Sequence, residues 1–361
     1  MQYRIFGDTG LTVSALGSGA MRLPRDETEG MAVVRRAVEL GVNYIDTAPG
    51  YVDGKSEVIV GKAIKGMRDK LIISTKNPIE NASGADWTKR LENSLRQLDT
   101  DYIDFYHMWG ISWSAWENSI DVPNGPLEAA HRAKEKGLVR HISFSFHSSP
   151  DDLVKLVDTG AFESVLCQYN LLDRANETGI AHAKAQGLGV VIMGPVAGGR
   201  LGKQSDVVQQ MIPGGTKTSA ELALRFVLAN QNVSIALSGM SSIQQVEENA
   251  ATASRVEALS TSEKAALETA LEQVKKLADL YCTGCDYCTP CPNGVDIPGN
   301  FRSMNYHLVY GLTDLGKSGY NRLRSKNRHA EVCEECGVCE DKCPQKIHIM
   351  EQLRETAVAL R

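Results

Sequence analysis

From the N-terminus to about position 255, short runs rich in β-branched and aromatic residues alternate with longer stretches in which apolar residues recur every three or four positions. Runs of the first kind suit strands covered on both faces, and stretches of the second suit helices with one apolar stripe. Eight such pairs follow one another, with strands predicted at 15–21, 44–48, 71–76, 102–108, 140–146, 164–170, 189–195 and 234–240. Eight parallel strands, each followed by a covering helix, close on themselves, so the pattern predicts an α/β fold of the (β/α)8 TIM-barrel type. A doubly wound sheet would alternate in the same way. However, the one early glycine pair, Gly17 and Gly19, lies inside a predicted strand with no helix starting at it, and makes no dinucleotide fingerprint.

The punctuation agrees. Residues 3–6 and 12–14 flank the turn Gly7-Asp8-Thr9-Gly10 and read as a hairpin covering one end of the barrel. Gly41, Gly137 and Gly187 each follow a periodic helix and precede a strand, where a left-handed C-cap is needed. From Thr261 a further helix, rich in Ala, Leu, Glu and Lys, leads away, and the composition then turns abruptly to cysteine and proline. The expected division is a barrel over 1–259 and a second domain over 260–361.

Charge and cysteine count add three exclusions. A net charge of -5 with scattered basic residues offers no broad field for nucleic acid or anionic lipid. No apolar run reaches the roughly 18 residues that spanning a membrane needs, and the chain starts without an apolar signal core. Eight of the nine cysteines lie after residue 280, which describes a local site and not a disulfide framework; a reducing, cytoplasmic setting is expected.

In parallel barrels the chemistry sits at the C-terminal ends of the strands. Asp46 closes the second predicted strand, Tyr51 follows it in a loop, Lys76 closes the third and His107 the fourth. A tyrosine, which titrates near about 10, donates a proton at neutral pH only if a nearby cation makes its phenolate less costly. Lys76 can be that cation, Asp46 can hold it, and His107 can orient a substrate oxygen. Each residue alone has a plainer reading as a barrel ion pair, a packed loop residue or a satisfied core histidine; their coincidence on three consecutive strand ends favours catalysis. Asp46-Thr47-Ala48 with Tyr51, Ser56-Glu57, Gly61, Ser74-Thr75-Lys76 and Tyr106-His107 resemble the aldo-keto reductase signature in order and spacing. The likeness covers about residues 1–255, and it implies hydride transfer from NAD(P)H to an aldehyde or ketone, with Tyr51 as general acid and Asp46, Lys76 and His107 as its partners.

The same resemblance implies a nicotinamide site at the later strands. Ser145 and Gln168 stand where the family holds the carboxamide, and Met193 where an aromatic often stacks on the ring. Gly194, Pro195, Gly198 and Arg200 belong to the pyrophosphate loop, and Glu248 and Asn249, at the start of the last barrel helix, to the adenine contacts. Phe146 replaces an asparagine common beside Ser145. Gly239, Met240 and Gln245 stand where NADP-preferring members often place Lys, Ser and Arg, so NADH contends with NADPH. Trp109, Trp113 and Trp116 offer either an apolar substrate wall or rim packing, His147 and Arg174 are further substrate-contact candidates, and Cys167 reads as core.

Cys282, Cys285, Cys288 and Cys291 before Pro292, and Cys333, Cys336, Cys339 and Cys343 before Pro344, each resemble a bacterial ferredoxin motif. That resemblance implies a helical ferredoxin-like domain with two [4Fe-4S] clusters, the first three cysteines of each run pairing with the last of the other. Zinc is the competing reading, but it draws two separated cysteine pairs more often than such triplets. The basic residues Arg322, Arg324, Lys326 and Arg328 between the runs read as solvated surface or as a docking patch for an acidic redox partner. Three functions remain open on the residues alone. The first is a conventional carbonyl reductase with a small-molecule substrate. The second is an iron–sulfur reductase fed by a low-potential ferredoxin-type or flavoprotein partner, and the third a redox-sensing nicotinamide-binding protein.

Overall fold

The computed structural model describes residues 1–202, 204–281, 288–343 and 347–361. A short antiparallel pair, β1 (Tyr3–Ile5) and β2 (Thr12–Ser14), precedes eight parallel strands: β3 (Leu16–Gly19), β4 (Tyr44–Asp46), β5 (Ile72–Pro78), β6 (Ile103–Ile111), β7 (Val139–Phe146), β8 (Ser164–Gln168), β9 (Gly189–Met193) and β10 (Ile235–Gly239). They close in sequence order, with β10 pairing β3. The eight-strand expectation therefore holds, strand for strand.

Local chemistry sets the helix ends. Asp26, Ser83 and Ser149 cap the helices Glu27–Glu39, Gly84–Leu98 and Pro150–Asp158 by accepting from the third backbone N–H that follows. Gly41, Gly137 and Gly187 take positive φ after their helices, as a left-handed cap requires. The N-terminal hairpin closes the strand-start end of the barrel: Phe6 is wholly buried among Tyr44, Ile72, Phe105, Leu166, Val191 and Ile235. Its ring centroid lies 4.9 Å from that of Phe105 and 5.8 Å from that of Tyr44. Gly189 is bare because a Cβ there would stand 2.4 Å from the Phe6 ring. With one end plugged, the opposite end is left for chemistry.

The chain divides into two compact units, Met1–Gly198 with Ala223–Ala258, and Gly199–Leu222 with Leu259–Arg361. The second unit is helical: Thr261–Tyr281, Ile297–Leu308, Thr313–Ser325 and Ile349–Leu360 are its long helices. Val295, Ile297, Phe301, Met304, Tyr320, Ile349, Leu353 and Leu360 form its core together with Cys288, Cys339 and Cys343. Among the described residues no helix is long and apolar enough to cross a membrane.

Candidate functional site

Strand register assembles the barrel mouth. Asp46 on β4 stands opposite Ser74 on β5; Lys76, two residues further along, stands opposite His107 on β6, which stands opposite Ser143 on β7. Side chains two apart on a strand share a face, so Ser74 and Lys76 both point inward. Asp46 Oδ2 lies 2.5 Å from Lys76 Nζ, and Asp46 Oδ1 accepts from Ser74 Oγ at 2.8 Å. Lys76 also donates to the Thr47 carbonyl at 2.8 Å. Tyr51, half-buried in the loop after β4, places its ring centroid 4.8 Å from Lys76 Nζ and edge-on to Trp109 at 5.9 Å. His107 is wholly buried, with Nδ1 2.8 Å from Ser143 Oγ. Its Nε2 lies 3.6 Å from Asp46 Oδ1, too far for a hydrogen bond, and has no partner among the described residues.

Burial dominates the electrostatics. It pushes the Asp46 carboxyl up from its ordinary value against the pull of Lys76 and Ser74. It holds the His107 imidazole well below its ordinary value, with Lys76 adding to the effect, so the ring is neutral. It also raises the Tyr51 phenol, while Lys76 pulls down and Asp46 pushes up. Lys76 acts in the expected direction and limits the rise that burial imposes, so the phenol keeps its proton at neutral pH and the cation acts once phenolate forms. Glu57 is buried, its carboxyl pushed up by burial while it accepts from Thr75 Oγ1 at 2.7 Å. Ser74, Ser143 and the Thr47 carbonyl received no role from the sequence, although the two-residue spacing of Ser74 from Lys76 and of Ser143 from Ser145 was a readable signal.

The later strands bring the other polar candidates to the same end. Ser145 Oγ accepts from the Gly110 N–H at 2.8 Å and keeps its own hydroxyl proton to donate, while Gln168 donates to Asp173 at 3.2 Å and keeps its carbonyl oxygen as an acceptor. Met193 packs on the barrel-interior cluster. Gly194 has φ +64°, and its carbonyl accepts from Asn170 Nδ2 and from the Ala197 N–H, forming a tight turn with Pro195 inside it. The surroundings of Gly198 and the side chain of Arg200 lie outside what is described. Glu248 and Asn249 sit mid-way along the helix Ile243–Ala253 and not at its start, which Ser242 caps; Asn249 Nδ2 reaches Ser238 Oγ at 3.2 Å. Gln245 accepts from the Ser241 N–H at 2.8 Å, which ties it to that helix end. A Cβ on Gly239 would stand 2.8 Å from Arg22 Cγ, so an arginine stem from the turn after β3 lies against the position where a family lysine was missed. The three tryptophans part company: Trp109 faces Tyr51, Trp113 has Lys155 over its ring, and Trp116 is buried against Phe162. His147 is exposed yet held below its ordinary value by local burial and Lys76, whereas Arg174 is paired with Glu177.

In the second unit Cys291, Cys333, Cys336 and Cys339 line one cavity with Pro292, Val295, Ile297, Met350 and Leu353. Cys288 and Cys343 are buried in the adjoining core. Cys282 and Cys285 lie outside the described residues. Among the described residues no three His, Cys, Asp or Glu side chains gather closely enough to hold a single ion. Arg324 pairs with Glu331 and Arg328 with Asp296, while Arg322, Arg324, Lys326 and Arg328 are all exposed, as a solvated surface requires.

Comparison with known proteins supplies the wider setting. Residues 15–272 match the model of the aldo/keto reductase family, and residues 281–349 match that of the 4Fe-4S dicluster domain. An L-galactose dehydrogenase of Arabidopsis thaliana is 30% identical over 313 residues, spanning 77% of this chain and 96% of the plant protein. The holo form of an aldo-keto reductase from Bacillus halodurans superposes with a TM-score of 0.67 at 31% identity, covering 75% of this chain and 96% of that one. An aldo-keto reductase of Klebsiella pneumoniae solved in complex with NADPH gives 0.63 at 26% identity, over 74% and 95% of the two chains. The chain therefore belongs to the aldo/keto reductase family, as an oxidoreductase whose C-terminal part is a 4Fe-4S dicluster domain.

Proposed function

We propose that this oxidoreductase reduces an aldehyde or ketone with NADH or NADPH, using Tyr51 as general acid, and that it carries two [4Fe-4S] clusters. The observation that carries the reading is the buried, unpartnered Nε2 of His107, set beside the Asp46–Lys76 pair and facing the same mouth as Tyr51. A buried polar atom without a partner costs about 1–3 kcal/mol, a cost that a substrate oxygen relieves. One donor from Ser145 and one acceptor from Gln168 suit a carboxamide, and the Gly194 turn suits a phosphate chain.

A reduced nicotinamide, when bound, supplies hydride to the carbonyl carbon. His107, neutral and with Nδ1 engaged by Ser143, donates from Nε2 to the carbonyl oxygen and fixes its position. Tyr51 then gives its hydroxyl proton to that oxygen as negative charge grows there. The phenolate left behind faces the Lys76 ammonium, which Asp46 and the Thr47 carbonyl hold in place. The Arg22 stem packs beside Gly239, and both NADPH and NADH remain in the proposal.

The cavity of Cys291, Cys333, Cys336 and Cys339 fits the crossed ligand set of one cluster, leaving Cys282, Cys285, Cys288 and Cys343 for the other. We take 1–259 as the reductase domain and 260–361 as the cluster domain. One observation favours a second reading, electron supply from a one-electron carrier: Cys336 is exposed, so the cavity reaches the protein surface. Anaerobic oxidation of NADH and NADPH against aldehydes, ketones and quinones tests both. Tyr51→Phe should cut turnover by about 10²–10⁴-fold. Absence of turnover with either nucleotide in cluster-loaded protein, together with turnover from a reduced low-potential donor, would select the second reading.

A further inference from the structure

We propose that Ser74 is a positioning residue: by holding Asp46 Oδ1 it keeps that carboxylate off His107, and so leaves His107 Nε2 free for the substrate oxygen. The inference rests on the carbonyl-reduction reading above. Four buried side chains of neighbouring strands meet here: Ser74 and His107 are wholly buried, and Asp46 and Lys76 are each 2% exposed. Ser74 stands directly opposite Asp46 across the pair β4 and β5, and Lys76 follows two residues later on the same face. One strand therefore supplies a donor to each carboxylate oxygen, Ser74 Oγ to Oδ1 at 2.8 Å and Lys76 Nζ to Oδ2 at 2.5 Å. A carboxylate gripped at both oxygens cannot turn about its Cβ–Cγ bond without giving up one of the two hydrogen bonds.

His107 lies on the next strand, opposite Lys76. Ser143 on β7 engages its Nδ1 at 2.8 Å, so Nε2 is the ring nitrogen left over. That atom stops 3.6 Å from Asp46 Oδ1, just outside hydrogen-bond range, and has no other partner among the described residues. A buried ring N–H beside a carboxylate gains by pairing with it, since an unmade bond is costly in a dry site. The bond to Ser74 opposes this by drawing Oδ1 toward β5 and away from β6. With the hydroxyl removed, the carboxylate pivots on its remaining bond to Lys76, closes on His107 and withdraws Nε2 from the mouth. A ring so paired is also easier to protonate, although burial and Lys76 still oppose the charge. The other titratable groups around the trio are Tyr51 and His147 at the mouth, Tyr44 two residues before Asp46 on β4, and Glu57, which meets Thr75 of β5. None of them reaches Nε2.

The test follows the His107 ring by NMR in full-length, cluster-loaded protein without nucleotide or substrate, its signals assigned by their loss in His107→Gln. In the wild type the Nε2 proton should lack the downfield shift that a carboxylate partner imposes. In Ser74→Ala that shift should appear, and the titration midpoint of the ring should rise by about one pH unit or more. The same variant should lose about 10–100-fold in kcat/KM for a carbonyl substrate while the Kd for NADH and NADPH stays near the wild-type value. Ser74→Thr, which keeps the hydroxyl, should restore the wild-type spectrum and rate. Carboxylate pairing already present in the wild-type spectrum overturns the inference and needs no variant to fold. An Nε2 proton unmoved in folded Ser74→Ala also overturns it, and where the wild type turns over, that result leaves the carbonyl-reduction reading standing. Wild-type protein that oxidises neither nucleotide with any carbonyl rejects that reading, and with it the part of Ser74 in the reaction, whatever the spectrum.

Discussion

His107 and Glu163 are moved by their surroundings in ways that solution measurements can read. The His107 ring stays neutral in the fold, held low first by burial and then by Lys76, whereas an unfolded imidazole titrates at about 6.5. Below that pH the unfolded chain takes up a proton that the folded chain refuses, so stability is lost as pH falls through about 6.5. Wild-type unfolding free energy should therefore drop between pH 7.5 and 5.5 more steeply than that of His107→Gln, by up to about 1.4 kcal/mol per pH unit. Parallel profiles from denaturant titrations would refute this. Glu163 answers in a lower window. Burial pushes its carboxyl up, but His141 at 2.7 Å and Lys134 together bring it down to about 2. Its contribution is present above the unfolded value near 4.5 and is lost as pH falls toward about 2; because the side chain is partly exposed, Glu163→Gln should cost only about 1 kcal/mol at pH 7. Asp46, Lys76 and His107 were legible as candidates because strand ends are marked in the sequence. Ser143, the partner of His107, was readable only in part, since its two-residue step from Ser145 says which face it shares and not what it meets.

Single contacts at the level of elements decide how the barrel is closed and loaded. The plug depends on Gly189 leaving space for the Phe6 ring. Gly189→Ala should destabilise by roughly 1–3 kcal/mol, and Phe6→Leu added to it should recover part of that loss, because the two act on one contact. Equal, additive losses in denaturant unfolding would show that the contact is relaxed elsewhere. Strands and helices were visible from their periods and from the glycines between them. The end of β6 and the helical turns after it were not: three tryptophans in eight residues look alike in sequence, yet Trp109 in the strand faces Tyr51, Trp113 meets Lys155 and Trp116 enters the core against Phe162. The side-chain period changes where the strand gives way to short helical turns, so only the folded backbone assigns their directions.

Across the whole molecule, iron content reports how the cysteines are shared. Cys291→Ala and Cys336→Ala should each remove about half the bound iron, and the double variant should remove little more, because both side chains belong to one cavity. Cys288→Ala combined with Cys336→Ala should remove nearly all of it. Uncrossed pairing would make Cys291 behave with Cys288: the Cys291 and Cys336 double variant would then lose nearly all its iron, while the Cys288 and Cys336 result would stay the same. The cysteine spacings pointed to the ligand set, whereas the gathering of Cys291 with the second run depends on a fold that brings residues more than forty positions apart to one cavity wall.

The eight-stranded pattern, the four residues at the strand ends and the two cysteine runs are local properties: they rest on period, neighbouring strands and short spacings, and the sequence by itself determined them. Other features depend on approaches between distant segments. The neutral state of His107 follows from burial by strands on either side, and the Arg22 stem over Gly239 from the pairing of β10 with β3. The segment Gly199–Leu222 leaves the barrel unit because Ser205 and Val207 pack against Tyr310 and Gly311, about a hundred residues away along the chain. No periodicity encodes such a meeting; only the tertiary structure decides which distant groups exclude water together.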